Sequence, residues 1–438
     1  MVRLACLIKI YDGDADPLQI TFVNTIKIES SWREFTDKAT VILPRFIDIE
    51  TGINSDKEFR NRMLEWSKNH PVIEIFLGYE TPSHLAFKGI IRDVKGRVPV
   101  ELVCEDHMYF LKSGLISVAY PKKEGDELKG IKVSEFIKEY FKVAQKATDI
   151  EYEAENIKDF DLGAFKLENK TPVKFLEMLR DDYGVYSFIR YKKKGDVYLP
   201  YLHVGTEYPE RVPKKGFFRF YDNIIDDDLI YREYEDINIQ VRYVLQGKKE
   251  EDVLTVVVPS NDKVSEKSQD VEELEFKYFD PTYKSNNDEF SADELDNSDI
   301  KKKLLDLAVN KLYQLKYTGF RGSFTTFGDT LYITSDQNKV GDFIRHGDVI
   351  LLREQSKQGT IVDFKREDQL YFVDAVNYSY GLEGFRQEIH LGISAEEGTR
   401  PNLSKVSSTF IGQSNGTSIK VNIVNEVSVS QSISVPGN

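Results

Sequence analysis

A strand pattern that occurs twice limits what this chain can fold into. Val72–Leu77 (VIEIFL) is followed by Ala86–Val94 (AFKGIIRDV), a short polar turn and Val98–Cys104 (VPVELVC). Far along the chain, Val349–Arg353 (VILLR) is followed by Leu370–Ser379 (LYFVDAVNYS), a Gly-containing turn and Gly384–Leu391 (GFRQEIHL). Each copy reads as a lead strand and a hairpin, with apolar side chains recurring at the two-residue period of a strand. Two similar β-units in one chain, separated by a stretch of different character, suggest a symmetric scaffold rather than a catalyst.

At 438 residues the chain is too long for one core, so several domains are expected. Residues 1–120 read as mostly β, with an inserted helix at 55–69. Asn54 or Ser55 caps that helix, Phe59, Met63, Leu64 and Trp66 fall roughly on one stripe, and His70–Pro71 ends it. Residues 121–206 comprise a polar linker (121–130) and a small α+β domain. There Val133, Phe136, Ile137, Tyr140, Phe141 and Ala144 follow helical spacing, and Thr171–Pro172 opens a second helix. Residues 207–392 return to β, with a charged, apolar-poor stretch at 260–298 that reads as a long loop and a helix at 299–316. Residues 393–438 form a polar, strand-forming tail whose Ser418–Val435 alternates Val or Ile with polar residues. Such a strand adds to a sheet of its own chain or pairs with a neighbouring copy or partner.

The formal net charge of −14 opposes nucleic-acid binding unless a basic patch is segregated. The two short basic runs, Lys192–Lys194 and Lys301–Lys303, read as a hairpin turn and a solvated helix start. No apolar run is long enough for a transmembrane helix, and Met1–Tyr11 alternates like a first strand, not a signal peptide. Cys6 and Cys104 lie in apolar strand patterns and read as small buried hydrophobes. The six histidines make no HxH or HExxH spacing. Asp12–Asp16 and Asp226–Asp228 lack a calcium-loop frame, and Gly319–Gly322 and Gly328 precede no phosphate-binding helix start. No catalytic residue, cofactor site or metal site is therefore expected.

Three segments carry a resemblance. Ser30–Pro44 (SSWREFTDKATVILP) resembles the first barrel of the baseplate hub proteins of contractile-tailed phages and related contractile injection systems. Ile131–Gly205, with Thr171, Pro172, Phe175–Leu179, Gly184 and the hairpin from Tyr186, resembles the family's small intervening domain. Tyr371–Gly392 (YFVDAVNYSYGLEGFRQEIHLG) resembles the closing hairpin of its second barrel. The resemblance implies a mainly β fold with α+β insertions, in which two similar tube-like β-barrel domains flank a small α+β domain. It also implies a structural hub, not an enzyme. The hub is a homotrimeric, pseudo-sixfold ring that adapts a hexameric tail tube to a trimeric spike around a central channel. Implied partners are the tail tube or tube-initiator protein, the central spike protein, and tape-measure, wedge or sheath-base proteins. DNA or an effector passes through unrecognised, and there is no stable membrane insertion. The place implied is the virion tail baseplate or an injection particle, assembled in the bacterial cytoplasm, with residues 393–438 a connector or clasp for a separate spike.

On this reading Trp32 and Phe35 anchor the first barrel's second hairpin, either as core or as a subunit contact. Phe385 and Ile389 share one face of the closing strand, Arg386 and Glu388 face a neighbouring subunit, and Tyr378 and Tyr380 are exposed interface residues. The Tyr-rich composition and the strand-forming tail also suit a host-surface or glycan-binding module. A cell-wall hydrolase is the third reading.

Overall fold

The computed structural model describes residues 3–13, 16–44, 56–82, 84–95, 99–124, 127–141, 153–155, 159–162, 165–205, 208, 214–220, 222–247, 253–259, 272–279, 299–328, 343–353, 369–395, 405–414 and 417–426. Thirteen described strands form one sheet. From the first half of the chain come β1 (Leu4–Tyr11), β2 (Leu18–Ile20), β3 (Thr25–Ser31), β4 (Lys38–Leu43), β5 (Val72–Tyr79), β6 (His84–Lys95) and β7 (Val100–Glu105). The second half adds β8 (Lys214–Arg219), β9 (Ile224–Asp227), β10 (Ser323–Phe327), β11 (Val349–Arg353), β12 (Gln369–Gly381) and β13 (Gly384–Ser394). The order across the sheet is β9-β10-β13-β12-β3-β4-β7-β6-β5-β1-β2, with β11 paired to β12 and β8 to β11.

The two copies of the sequence repeat are β5-β6-β7 and β11-β12-β13, each antiparallel in that order. The likeness extends by two strands. β7 pairs with β4 and β4 with β3, while β13 pairs with β10 and β10 with β9, all antiparallel. Five strands thus recur in the same chain order and the same sheet order. Each middle strand also carries a bulge at the same place. Arg92 is the extra residue between the pairs Ile91↔Cys104 and Asp93↔Val103, and Asp374 is the extra residue between Val373↔Leu391 and Ala375↔His390.

Alternation decides which face is buried. β3 buries Ile26 and Ile28 and exposes Lys27 and Glu29, and β4 buries Ala39, Val41 and Leu43. These residues join Leu102 and, from the other unit, Phe324, Phe385 and Ile389 in one continuous apolar core. Between β4 and β5, helix α1 (Asp56–Asn69) lays Trp66 into that core and ties its Nε1 to Asp12 Oδ2 at 3.2 Å. Leu64, expected on the inward stripe, points to solvent and is 63% exposed, because it sits two positions from Trp66 and so on another face of the helix. The expected cap, Asn54 or Ser55, lies outside the described residues.

A second core belongs to the small unit. It contains α2 (Val133–Tyr140), α3 (Pro172–Tyr183) and the hairpin Tyr186–Lys194/Val197–Gly205. Phe136 and Phe175 stack at its centre with ring centroids 3.9 Å apart. Pro172 occupies the first turn of α3, and Gly184 at φ 61° closes the helix in the left-handed conformation that glycine adopts without strain. The unit starts earlier than expected. The 3-10 turn His107–Lys112 and the strand Ile116–Tyr120 place Met108, Leu111, Ile116 and Tyr120 in this core, and Ile116–Tyr120 pairs with Phe165–Lys170. The stretch expected as a linker contains a short strand pair, Lys122–Glu124 with Glu127–Lys129.

The region 207–392 also divides differently from the expectation. A five-stranded sheet runs Glu272–Phe279, Ile239–Gln246, Val253–Val258, Lys405–Ser414, Thr417–Glu426. Helix α4 (Asp299–Leu315) packs on it through Leu304, Leu305, Ala308, Val309 and Leu312. The long loop expected at 260–298 is therefore interrupted by the strand Glu272–Phe279, which lies parallel to Ile239–Gln246. Its charged composition hides the period: Leu274, Phe276 and Tyr278 alternate with exposed Glu273, Glu275 and Lys277. The tail strands 405–414 and 417–426 complete this sheet within the same chain.

Candidate functional site at the junction of the β-units

The two units meet strand to strand. β3 pairs with the half of β12 beyond the bulge, from Ser31↔Ala375 through Ile28↔Tyr378 to Thr25↔Gly381. The first half of β12 offers the same edge to β11, so one long strand serves both neighbours. Gly381 permits the approach, since a Cβ there would stand 2.7 Å from the Asn24 carbonyl oxygen. Two further contacts span the units: Tyr79 OH donates to the Phe385 carbonyl at 3.0 Å, and Arg345 Nη2 to the Leu85 carbonyl at 2.8 Å.

The bulge itself is a docking point. Asp374 is 8% exposed and its carboxylate gathers three donors. Trp32 Nε1 donates to Oδ1 at 2.9 Å, Arg33 Nη2 to Oδ2 at 2.8 Å, and the Tyr208 hydroxyl to Oδ1. Burial pushes the Asp374 carboxyl above its ordinary pKa, against the pull of Tyr208, Trp32 and Arg33. Gly392 keeps the niche open, because a Cβ there would sit 2.3 Å from Asp374 Oδ1. Trp32 also meets Tyr186 of the small unit edge-on at 4.4 Å.

A second polar cluster joins all three units. From the first β-unit come Asp37 and Asp106; from the small unit, Arg190; from the second β-unit, Arg345, His346 and Asp348. Asp37 Oδ2 accepts from Ser30 Oγ at 2.8 Å, and Asp106 Oδ1 and Oδ2 accept from the backbone of Met108 and Asp37 at 2.9 and 3.2 Å. Arg190 donates to the His346 carbonyl at 2.6 Å and lies 3.0 Å from its ring nitrogens, and His346 Nε2 lies 3.9 Å from Asp37 Oδ1. Burial raises Asp37, and burial together with the Asp37 charge raises Asp106 further. Burial and then Arg190 and Arg345 hold His346 well below its usual range, so it is neutral at pH 7. The carboxylates are occupied in capping backbone and side-chain donors, which makes the cluster a joint rather than an acid–base pair.

A third contact seats the small unit on β5 and β6. Lys88 Nζ, buried, donates to Glu74 Oε1 and to the Tyr198 carbonyl, both at 2.8 Å, and Tyr11 OH donates to Glu74 Oε2 at 3.0 Å. Tyr191 OH donates to the Lys88 carbonyl at 2.7 Å and accepts from His107 Nδ1 at 2.8 Å.

The residues singled out in the sequence fall on both sides of this picture. Trp32 sits at the junction as described. Phe35 packs instead against the small unit, with the Arg180 guanidinium 4.5 Å over its ring. Phe385 and Ile389 are fully buried. Tyr378 and Tyr380, expected to be exposed, are buried at 4% and 8%, because β12 turns Val376, Tyr378 and Tyr380 alternately into the core. Arg386 stacks 5.1 Å over Phe327, and Glu388 Oε1 and Oε2 accept from Ser323 Oγ and Asn377 Nδ2, each at 3.1 Å, so both find partners inside the chain. Asp37, Asp106, Arg190, His346 and Asp374 escaped the sequence reading. Only Asp374 left a signal, as a lone charge inside the apolar run Leu370–Val376.

Among the described residues no group of three or more His, Cys, Asp or Glu side chains is placed to hold a metal ion. No helix of the described residues is long and apolar enough to cross a membrane.

The chain is similar to the tail protein from Neisseria meningitidis MC58, at 14% identity and a TM-score of 0.51, over 91% of this chain and 98% of that one. The fold is that of this tail protein. The chain is also similar to the 43 kDa tail protein of prophage MuSo2 from Shewanella oneidensis, at 10% identity and a TM-score of 0.48, over 88% and 97% of the two chains. A component of the E. coli type VI secretion system, itself described as structurally similar to T4 bacteriophage tail proteins, matches at 9% identity and a TM-score of 0.44, over 90% and 79%. No family model and no curated protein matches the chain.

Proposed function

We propose that this protein is the structural hub of a contractile tail or injection machine. Three copies form a pseudo-sixfold ring around a central channel and adapt a hexameric tube to a threefold spike. The observation that carries this reading is the five-strand unit that occurs twice in one chain, in the same order, joined edge to edge through β3 and β12. A sixfold partner needs six equivalent docking faces, and three chains supply six only if each carries the unit twice. The buried joints at Asp374 and around Asp37 suit a rigid adaptor, since they fix one unit against the other. The tail-protein fold supports the same reading.

On this reading the tube or tube-initiator protein docks on one end of the ring and the spike on the other. Tape-measure and wedge or sheath-base proteins are neighbours, and DNA or an effector passes through the channel without specific recognition. The protein then works as a virion tail or injection-particle component assembled in the cytoplasm, and carries out no reaction. Native mass measurement on the full chain is expected to give three copies per particle, and negative-stain images a threefold ring with a central hole. A stable monomer at micromolar concentration that forms no ring with its tube protein refutes the proposal.

A further inference from the structure

The internal repeat predicts where a second copy docks. Within one chain the outer edge of β3 is covered by β12 beyond its bulge. The equivalent edge in the second unit has no strand on it among the described residues, and neither does the equivalent stretch of β6 beyond its own bulge. We propose that these two edges pair with each other between two copies of this chain, reproducing the β3·β12 junction as an intermolecular one. The proposal rests on the hub reading for the number of copies alone.

The register follows from the strand pairings. Aligning Arg92 with Asp374 equates Asp93, Val94 and Lys95 with Ala375, Val376 and Asn377. Val94 then leads through Leu102 and Val41 to Ile26, and Val376 leads through Ile389 and Phe324 to Asp227. Ile26 is thus the counterpart of Asp227, and Glu29, Ser30 and Ser31 are the counterparts of Ile230, Tyr231 and Arg232. A separate pairing agrees: Ile230↔Arg321 corresponds to Glu29↔Lys38. Because Ser31, Ser30 and Glu29 face Ala375, Val376 and Asn377, the intermolecular junction places Arg232 opposite Asp93, Tyr231 opposite Val94 and Ile230 opposite Lys95. Within one chain β9 and β6 are not paired with each other among the described residues, so the two edges belong to different copies when they meet.

The chemistry of the edges fits. The segment 224–233 leaves Ile225 46% and Ile230 56% exposed and lines them with exposed Asp226, Asp227, Asp228 and Glu233. Beyond the bulge, β6 carries Arg92 and Lys95, which already engage Glu105 with Asp93 and Glu101 respectively. The bulge contact reverses its polarity between the two junctions. Inside the chain, the turn after β3 brings cationic Arg33 to the anionic bulge residue Asp374. Between chains, Glu233, which in this register takes the place of Trp32, the other residue of that turn on Asp374, comes to the cationic bulge residue Arg92. Opposite charges at this point favour the pairing and select its register. The two surfaces differ, so the contact is head-to-tail and closes a ring when its rotation allows.

Paired cysteines in the full chain test this. Lys95 and Ile230 are both exposed, so Lys95→Cys/Ile230→Cys leaves the fold intact, and the native Cys6 and Cys104 are buried. Directly opposed strand positions lie within disulfide reach. Under mild oxidation the double variant is expected to cross-link into oligomers, and an equimolar mixture of the two single variants into dimers. An off-register pair, Lys95→Cys/Asp222→Cys, is expected to stay uncross-linked. Arg232→Glu, which sets Glu against Asp93, is expected to lose the oligomer peak in native mass spectra, and Asp93→Arg in the same chain to restore it. A chain that assembles by native mass yet cross-links no better at Lys95/Ile230 than at the off-register pair overturns this surface and leaves the hub reading standing. A chain that stays monomeric overturns both.

Discussion

Lowering the pH from 7 to 5 is expected to loosen the seat of the small unit through His107. This ring is 2% exposed, and Tyr191, whose own hydroxyl proton goes to the Lys88 carbonyl, can only accept from it, so Nδ1 carries the hydrogen. Burial, and then the Lys88 charge, depress the His107 pKa from 6.5 to about 3. The unfolded chain therefore binds the extra proton between about pH 6.5 and pH 3, and stability falls as pH falls through that window. Between pH 7 and pH 5 the loss from this one group amounts to about 2 kcal/mol. Urea unfolding of the parent and of His107→Gln at both pH values measures it, since the variant keeps a donor but does not titrate. The parent is expected to lose about 2 kcal/mol more than the variant over the interval. Burial raises Asp37 and Asp106, which works in the opposite direction, and His346 adds to the loss, but all three are common to both proteins and cancel in the difference. Equal pH slopes in parent and variant refute the reasoning.

Removing the bulge carboxylate is expected to weaken the joint. Asp374→Ala leaves the Trp32 indole and Tyr208 hydroxyl without their acceptor, at about 2–4 kcal/mol, while Arg33, which is 68% exposed, adds little. Faster hydrogen exchange across Thr25–Ser31 is the signature, and unchanged protection there contradicts it. Gly89→Ala places a Cβ 2.1 Å from the Glu105 carbonyl oxygen, where β6 and β7 cross closely. A loss of about 1–3 kcal/mol or more is expected in thermal unfolding. Phe136→Ala empties the stack on Phe175 at the centre of the small unit. It is expected to cost about 3–5 kcal/mol and to raise exchange in α2 and α3 before the main sheet.

Strand identity was legible wherever one face is buried and the other wet. The closing strands β7 and β13 show this period directly, whereas β6 is buried on both faces from Leu85 to Ile91 and reads as a strand from its apolar, β-branched run. Counterparts on the other edge were not legible. Thr25–Ser31 alternates cleanly, whereas Ile224–Asp227 (IIDD) followed by Ile230–Arg232 does not, although both hold the same position in their units. A bulge at Ile225 breaks the period there, and no local pattern encodes a pairing with a strand almost a hundred residues away. The strand Glu272–Phe279 was hidden by its glutamates, because composition averages over the two faces that a sheet separates.

What the sequence determined by itself is the class of the molecule: a mainly β chain built on a repeated lead strand and hairpin, with a helical insertion between the copies. Side-chain periodicity is local, and local signals survive without knowledge of neighbours. Only the tertiary structure decided that the two copies share one sheet through β3 and β12, and that Asp37, Asp106, Arg190 and His346 converge from distant segments. It also decided that the tail strands 405–426 close a sheet of their own chain. Each of these is a pairing of edges or buried polar groups, and such groups are satisfied by whatever the fold brings alongside them.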